Sequence, residues 1–293
     1  MTTALTYALF ASLFFSFAST RFTIYTNRTD ALWMNCMKAL VALVACTLAI
    51  LITQKFDNFT TTNVTLLLIS GFLGLFVGDL FMLQSMKELG TARMLMMFGL
   101  TPFLSGVGSY LVFGSALPVK SWIGVLFMLG CLFLLAFEKY KAHGHWHIRG
   151  VALGFVAVTI DATGLLITKY CFTQSAELHP FQVNFVRVSG SLIGFALVHF
   201  LYRPIPIIKT LKSWSRRDQM EVIGASFMGT FLSLYMYMKS ISMGHLSVVS
   251  SMSGTGPLFA EMIESYQKKK WPHPFWWGAF SCFLIGIYFF TSG

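Results

Sequence analysis

Two short stretches carry the charged groups that chemistry would need. In Gln182-Val183-Asn184-Phe185-Val186-Arg187 a cation lies inside an otherwise apolar run from Pro180 to Leu201. Its twin, Trp33-Met34-Asn35-Cys36-Met37-Lys38, sits in the apolar run Ala31 to Ile52. Each run has Asn at its fifth residue and a long cation at its eighth. A helix rises about 1.5 Å per residue, so each cation lies roughly 10–12 Å along its span. At that depth in hydrocarbon a cation costs between about 2.5 and 17 kcal/mol. A chain that meets this cost twice, in register, needs those charges. Lys38 and Arg187 either hold an anion or carboxylate, for which Arg offers a bidentate fork, or tie helices together. In both cases each needs a buried partner.

Asp79 and Asp161 lie near the middle of two further apolar runs. An intramembrane acid is a functional-site candidate by default. It can bind a substrate ammonium, carry a proton, or form a buried pair with Lys38 or Arg187. Gly71, Gly74 and Gly78 precede Asp79. That small-residue face admits a neighbouring helix and turns Asp79 into the bundle. Glu261 and Glu264 follow Pro257 by four and seven residues, on nearly one helical face. They are substrate-side acids or interfacial partners of Lys268, Lys269 and Lys270. Tyr235, Tyr237 and Trp33 could form a cation–π wall or plain packing. Met86, Met94, Met96 and Met97 could line an adaptable pocket or fill core. His143, His145 and His147 alternate in a short segment that gives no fixed tetrahedral geometry, so neither a metal nor a cofactor is expected. Asn27, Asn58 and Asn63 fit the glycosylation acceptor pattern, though the first lies on the opposite side from the other two. G-x-x-x-x-G-K-[ST], H-E-x-x-H and G-x-S-x-G are all missing, so no enzyme is expected.

The elements that must position these residues follow from composition. The chain has 293 residues, 56% hydrophobic and only 11% charged, against about 25% charged in soluble domains. Mean hydropathy is +0.69. An ordinary soluble globule is excluded and a polytopic membrane protein is expected. The net charge of +10 comes from cations lying between apolar runs, which signals topology rather than nucleic-acid binding. The five cysteines, Cys36, Cys46, Cys131, Cys171 and Cys282, fall inside apolar runs without a CxxC, and free buried thiols are expected. The first run, Ala4 to Ala18, lacks a basic n-region and reads as a retained span.

At about 20 apolar residues per crossing, ten spans are expected, near 3–24, 31–53, 63–88, 91–113, 119–138, 149–172, 180–202, 219–241, 245–265 and 273–291. The halves read as repeats, residues 1–145 and 146–293. Asn35 matches Asn184, Lys38 matches Arg187, and spans one and six align Ser16 with Asp161. Spans four and nine each carry one proline, Pro102 and Pro257, preceded by small or polar residues that include Gly99 and Gly256. These prolines bend their helices and free carbonyls, which makes them hinge or gate candidates. An odd number of spans per half inverts the second copy, the architecture of many secondary transporters. Loops after the odd-numbered spans hold most Lys and Arg, which places both termini outside.

Ten spans, a 5+5 repeat, the early cations Lys38 and Arg187, and Pro102 and Pro257 in spans four and nine resemble the ten-span EamA-type members of the drug/metabolite transporter superfamily. The resemblance covers nearly the whole chain. It implies an all-α bundle around a central cavity lined mainly by spans one, three, four, six, eight and nine. It also implies export or exchange of small metabolites such as amino acids. The chain departs from the family's usual "G-E" stretch: Ser115 follows Gly114, and the second copy reads Gln267-Lys268-Lys269-Lys270. Family members also commonly keep their termini in the cytoplasm, against the loop charges here.

The expected function is secondary transport of small polar or amphipathic metabolites by alternating access. Asp79, Asp161, Lys38, Arg187, Glu261, Asn35, Asn184 and Tyr235 would bind substrate or couple transport. Acids and bases together suit a zwitterion. Export of cationic drugs and flipping of a lipid carrier stay open as alternatives. The expected partners are a small-molecule substrate, the lipid bilayer and protons as coupling ion, with no nucleic acid. A monomer or homodimer in a cell membrane, taken as a bacterial inner membrane, completes the expectation.

Overall fold

Apolar runs bounded by capping residues become ten helical elements in a computed structural model that describes residues 2–54, 59–115, 118–143, 147–175, 177–267, 269 and 271–291. In the first half, α1 covers Thr2–Arg28, α2 Ala31–Thr53, α3 Thr61–Leu89, α4 Thr91–Phe113 and α5 Val119–His143. In the second half, α6 covers Ile148–Gln174, α7 Pro180–Leu201, α8 residues 216–243, α9 residues 246–267 and α10 Pro274–Thr291. A short helix, Ile207–Lys212, lies in the α7–α8 connection, which the sequence presents only as a basic loop. Among the described residues every regular element is helical. Eight of the ten are long and apolar enough to cross a bilayer on their own. Of the other two, α8 is continuous but opens on Arg216, Arg217 and Asp218, and α9 breaks between Ser253 and Gly256.

Helix starts follow their caps. Asp30 accepts from the Trp33 N–H at 2.7 Å, and Thr60 and Ser215 do the same for Asn63 and Asp218, each at 3.2 Å. Each cap satisfies an N–H that the helix cannot, worth about 1 kcal/mol. Pro180 sits in the first turn of α7, where its missing N–H is harmless. The α3–α4 turn needs Gly90, whose φ is +87°. The matching turn at Gly244 has φ −121°. Glycine serves close packing there, since a Cβ would lie 2.8 Å from Val249 Cγ2 and 3.2 Å from Ala4 Cβ.

Packing repeats with the halves exchanged. α1 lies along α8 as α6 lies along α3; α2 meets α7, α4 meets α9, and α5 meets α10. Glycine permits the tightest approach: a Cβ on Gly71 would overlap the Arg187 backbone carbonyl, and one on Gly190 that of Leu68. On the small-residue face before Asp79, Gly71 is therefore where α3 and α7 touch, and Gly78 lies against Ile160 and Ala157 of α6. Outward faces keep apolar side chains such as Val44, Leu111, Phe133 and Phe200 exposed, as lipid contact requires. All five cysteines are free.

Two irregularities have no clear sequence signal. Residues Phe72–Gly78 of α3 and Phe227–Leu232 of α8 are wound as π-helix. Such insertions widen the helix and leave carbonyls for other partners. They occupy matching places in the two copies.

Candidate functional site

The site begins where α3 is widened. Asn35 donates from Nδ2 to the carbonyls of Leu75 and Phe76 at 3.0 and 3.1 Å. One turn further along α2, Lys38 Nζ donates to Asp79 Oδ2 at 2.6 Å. The ammonium also lies 5.0 Å from the centre of the Phe22 ring. Lys38 is 2% exposed and Asp79 19%, so the pair is a buried tie between α2 and α3, with Asp79 the more open partner. This contact supplies the helix tie that is one of the two roles open to Lys38.

The second cation is held differently. Arg187 Nε donates to Ser70 Oγ at 3.1 Å, and Nη1 points at the Met238 sulfur at 3.3 Å, a weak acceptor. Ser70 is itself fixed by donating to the Gly164 carbonyl at 2.7 Å. The third nitrogen, Nη2, faces Gly74. Asp161 faces the same glycine from α6. A Cβ on Gly74 would stand 3.5 Å from Nη2 and 3.7 Å from Asp161 Oδ1. The two charged ends are therefore at most 7.2 Å apart, the sum of those distances. They do not form an ion pair, and no donor among the described residues lies within hydrogen-bond reach of Asp161. Glycine leaves the space beside both of them clear.

This space belongs to a cavity of about 110 Å³ at the seam of the two halves. Its walls come from α1, α3, α4, α6, α8 and α9, and α2 and α7 contribute only Lys38 and Arg187. α5 and α10 stay outside it. Four hydroxyl residues on its lining, Ser12, Thr101, Thr230 and Ser253, have buried side-chain oxygens without a hydrogen-bond partner. Buried polar groups are normally satisfied, so a lining with four unmet hydroxyls is suited to a polar guest or water. Tyr237 also lines the cavity, its hydroxyl 3.3 Å from Ser250 Oγ.

Lys38, Asp79, Asp161, Arg187, Gly256 and Pro257 thus converge on one cavity. Asn35 and Asn184 are buried outside its lining, and Asn184 has no hydrogen bond from either side-chain atom. Tyr235 lies off the cavity and stacks on Phe181 at 4.1 Å. Two residues along a helix turn about 200°, so Tyr237 faces inward where Tyr235 cannot. Glu261 lies beyond the lining, one turn past Pro257, and the Glu264 side chain lies outside the described residues. Gly99 packs against Leu132. Pro102 stands behind the lining, its carbonyl accepting from Ser247 and Ser105 at 2.7 and 3.2 Å.

The remaining candidates take quieter places. Trp33 packs on Trp214 with ring centres 4.9 Å apart. Met86, Met94, Met96 and Met97 are buried in the core away from the cavity lining. His147 lies 3.5 Å from Glu88, while His145, Asn58, Lys268 and Lys270 fall outside the described residues. Asn63 is buried and donates to Ser175 Oγ at 3.0 Å.

Sequence reasoning missed the hydroxyl wall, yet a signal existed. Ser12, Ser16 and Ser19 on α1, and Thr230, Ser233 and Tyr237 on α8, recur every three or four residues in apolar surroundings, and of these Ser12, Thr230, Ser233 and Tyr237 line the cavity. That spacing marks one helical face. Ser16, aligned with Asp161, donates to the Gly256 carbonyl at 2.9 Å, beside the break in α9.

Both broken helices meet here. α4 tightens to a 3₁₀ turn over Phe98–Leu100 just before Pro102, and α9 is interrupted just before Pro257. Phe98, Ser253 and Gly254 at these interruptions line the cavity. Non-helical backbone at membrane depth is tolerated where it faces protein or a polar cavity.

The chain matches the EamA-like transporter family twice, over residues 2–137 and over 148–292. No curated protein matches the sequence. A crystal structure, described only as that of a protein, shares 15% identity and superposes with a TM-score of 0.76. The match covers 99% of this chain and 97% of that one, and likeness at this identity shows the fold alone. With a family match in each half and eight of the ten helical elements reaching one cavity, the chain belongs to the EamA-like transporter family of the drug/metabolite transporter superfamily and is a multi-pass membrane transporter of that type.

Proposed function

We propose that the protein is a secondary transporter that exports or exchanges a small zwitterionic metabolite, such as an amino acid, by alternating access. The observation that carries this reading is the open pair across Gly74. Arg187 Nη2 presents a donor for a carboxylate, and Asp161 an unpaired carboxylate for an ammonium. Charge-assisted bonds of this kind are roughly twice as strong as neutral ones. The four unmet hydroxyls supply neutral contacts around them. A lone cationic drug would leave Arg187 repelled. A long lipid carrier would outgrow a volume below the roughly 300–1,000 Å³ of drug-sized sites.

Residues 1–145 and 146–293 would rock against each other about the cavity, with the interruptions before Pro102 and Pro257 as hinges. Asp161 is the better proton carrier of the two acids, because Asp79 is already engaged by Lys38. The side with the basic loops would face the cytoplasm, in a bacterial inner membrane. The substrate would cross chemically unchanged.

Uptake into proteoliposomes across a pH gradient tests it, with amino acids, nucleosides and quaternary ammonium compounds as substrates. Asp161→Asn should lose pH-driven transport, while Asp79→Asn should keep its pH dependence. Transport of quaternary ammonium compounds alone, or unchanged pH dependence in Asp161→Asn, would contradict the reading.

A further inference from the structure

The α7–α8 connection presents a surface that the cavity does not use. At the end of α7, Phe200, Leu201 and Tyr202 are 81%, 79% and 86% exposed. Beyond them, Ile207 and Leu211 pack inward with Trp214. Ile208 points outward and is 69% exposed. Lys212 lies four residues on and Lys209 three residues before it, so the three share the outer face of the short helix Ile207–Lys212. Lys209, Lys212 and Arg216 are exposed and have no acidic partner within 4 Å among the described residues. The other two cations are taken: Arg203 pairs with Asp30 at 2.8 Å and Arg217 with Glu221 at 3.2 Å.

An exposed Ile flanked by unneutralised cations is poorly suited to bulk water. It fits a bilayer interface, where the apolar side chain enters the acyl boundary and each ammonium meets a phosphate. The position agrees. Arg203 on Asp30 and Arg28 on Asp218 at 2.8 Å fix this segment to the end of the bundle that carries most basic loops. With that side facing the cytoplasm, as proposed above, it meets the leaflet whose surface potential is negative. We infer that residues 200–216 form a docking site for anionic phospholipid headgroups, with Lys209, Lys212 and Arg216 as phosphate ligands and Ile208 as the inserted anchor.

Docking would reach the bundle through one side chain. Trp214 is wedged between Tyr25 and Trp33, at ring-centre distances of 5.0 and 4.9 Å. Lipid that holds Lys209 and Lys212 therefore also holds the plug that joins α1, α2 and the start of α8.

Hydrogen exchange of amides 202–217 in the full-length protein tests this, comparing nanodiscs of phosphatidylcholine with nanodiscs that contain phosphatidylglycerol. Exchange should slow in the anionic discs, by about fivefold for each cation engaged, and high salt should remove the difference. Lys209→Gln/Lys212→Gln/Arg216→Gln should lose the protection, and Lys209→Arg/Lys212→Arg should keep it. The amides of α10 report folding in every sample. Equal wild-type exchange in both discs overturns the inference without recourse to a variant. So does protection that survives the triple substitution, or protection reproduced in neutral discs by inorganic phosphate.

Discussion

In the first copy, Asn35 gives its amide hydrogens to two carbonyls of the widened α3 and Lys38 closes on Asp79 at 2.6 Å. In the second copy, Asn184 makes no hydrogen bond at either end, and Asp161 meets no donor among the described residues. The asparagines and the cations correspond by sequence position and the acids do not, yet one set is spent on structure and the other is left open. The internal duplication supplies the asparagine and the cation twice and each acid once. One copy can then hold the helices together while its mate keeps unmet valences inside the cavity. The asymmetry begins with the acids: Asp79 stands on α3 opposite Lys38, while the equivalent turn of α8, just past its own π segment, carries Ser233.

The comparison breaks most visibly at the closed pair. Asp79→Ala strands the Lys38 ammonium and should lower stability by about 3 kcal/mol, the low end for a broken buried pair because Asp79 is 19% exposed. Lys38→Met/Asp79→Leu should restore it, since apolar replacement of a buried pair is often neutral. Thermal melting in detergent reads both. If the double variant is no more stable than the single one, the Lys38–Asp79 pair is more than a tie.

A smaller effect is expected at the helix contact. Gly71→Ala drives a methyl into the Arg187 backbone carbonyl and should cost about 1–3 kcal/mol by overpacking. Gly74→Ala meets only ordinary contacts of 3.5 and 3.7 Å. It should leave the melting temperature nearly unchanged while putting a methyl beside both Arg187 and Asp161. Equal melting shifts in the two variants would place the close contact elsewhere.

The asparagines sharpen the contrast at its subtlest. Asn35→Leu removes two hydrogen bonds and leaves carbonyls of α3 unpaired, for a loss of about 1–3 kcal/mol. Asn184→Leu removes a side chain with no partner and should be neutral or stabilising. A destabilised Asn184→Leu would mean that Asn184 holds a buried water.

Much of this arrangement was legible in the amino-acid sequence. The twin positions of Asn35/Lys38 and Asn184/Arg187, the glycines before Asp79, and the two prolines all follow from period and depth in an apolar run. A buried pair with Lys38 or Arg187 is among the roles the residues suggest, but which acid takes it is not legible. Nothing in Phe72–Gly78 or Phe227–Leu232 distinguishes a π segment from ordinary helix, and that extra residue decides which side chains turn inward. Tyr235 and Tyr237 are equivalent by composition, and only the helix phase separates them. Trp214 sits in a loop whose basic residues dominate its sequence, and tertiary contact with Tyr25 and Trp33 gives it a role.

The central claim is that substrate is held by the open pair of the second copy. The most direct test is the ligand-induced rise in melting temperature of the purified protein across a panel of amino acids, since a bound ligand stabilises by mass action. The account predicts a rise in wild type that persists in Lys38→Met/Asp79→Leu and disappears in both Asp161→Asn and Gly74→Ala. A rise that survives in Asp161→Asn and Gly74→Ala but vanishes when Lys38 and Asp79 are replaced would contradict it.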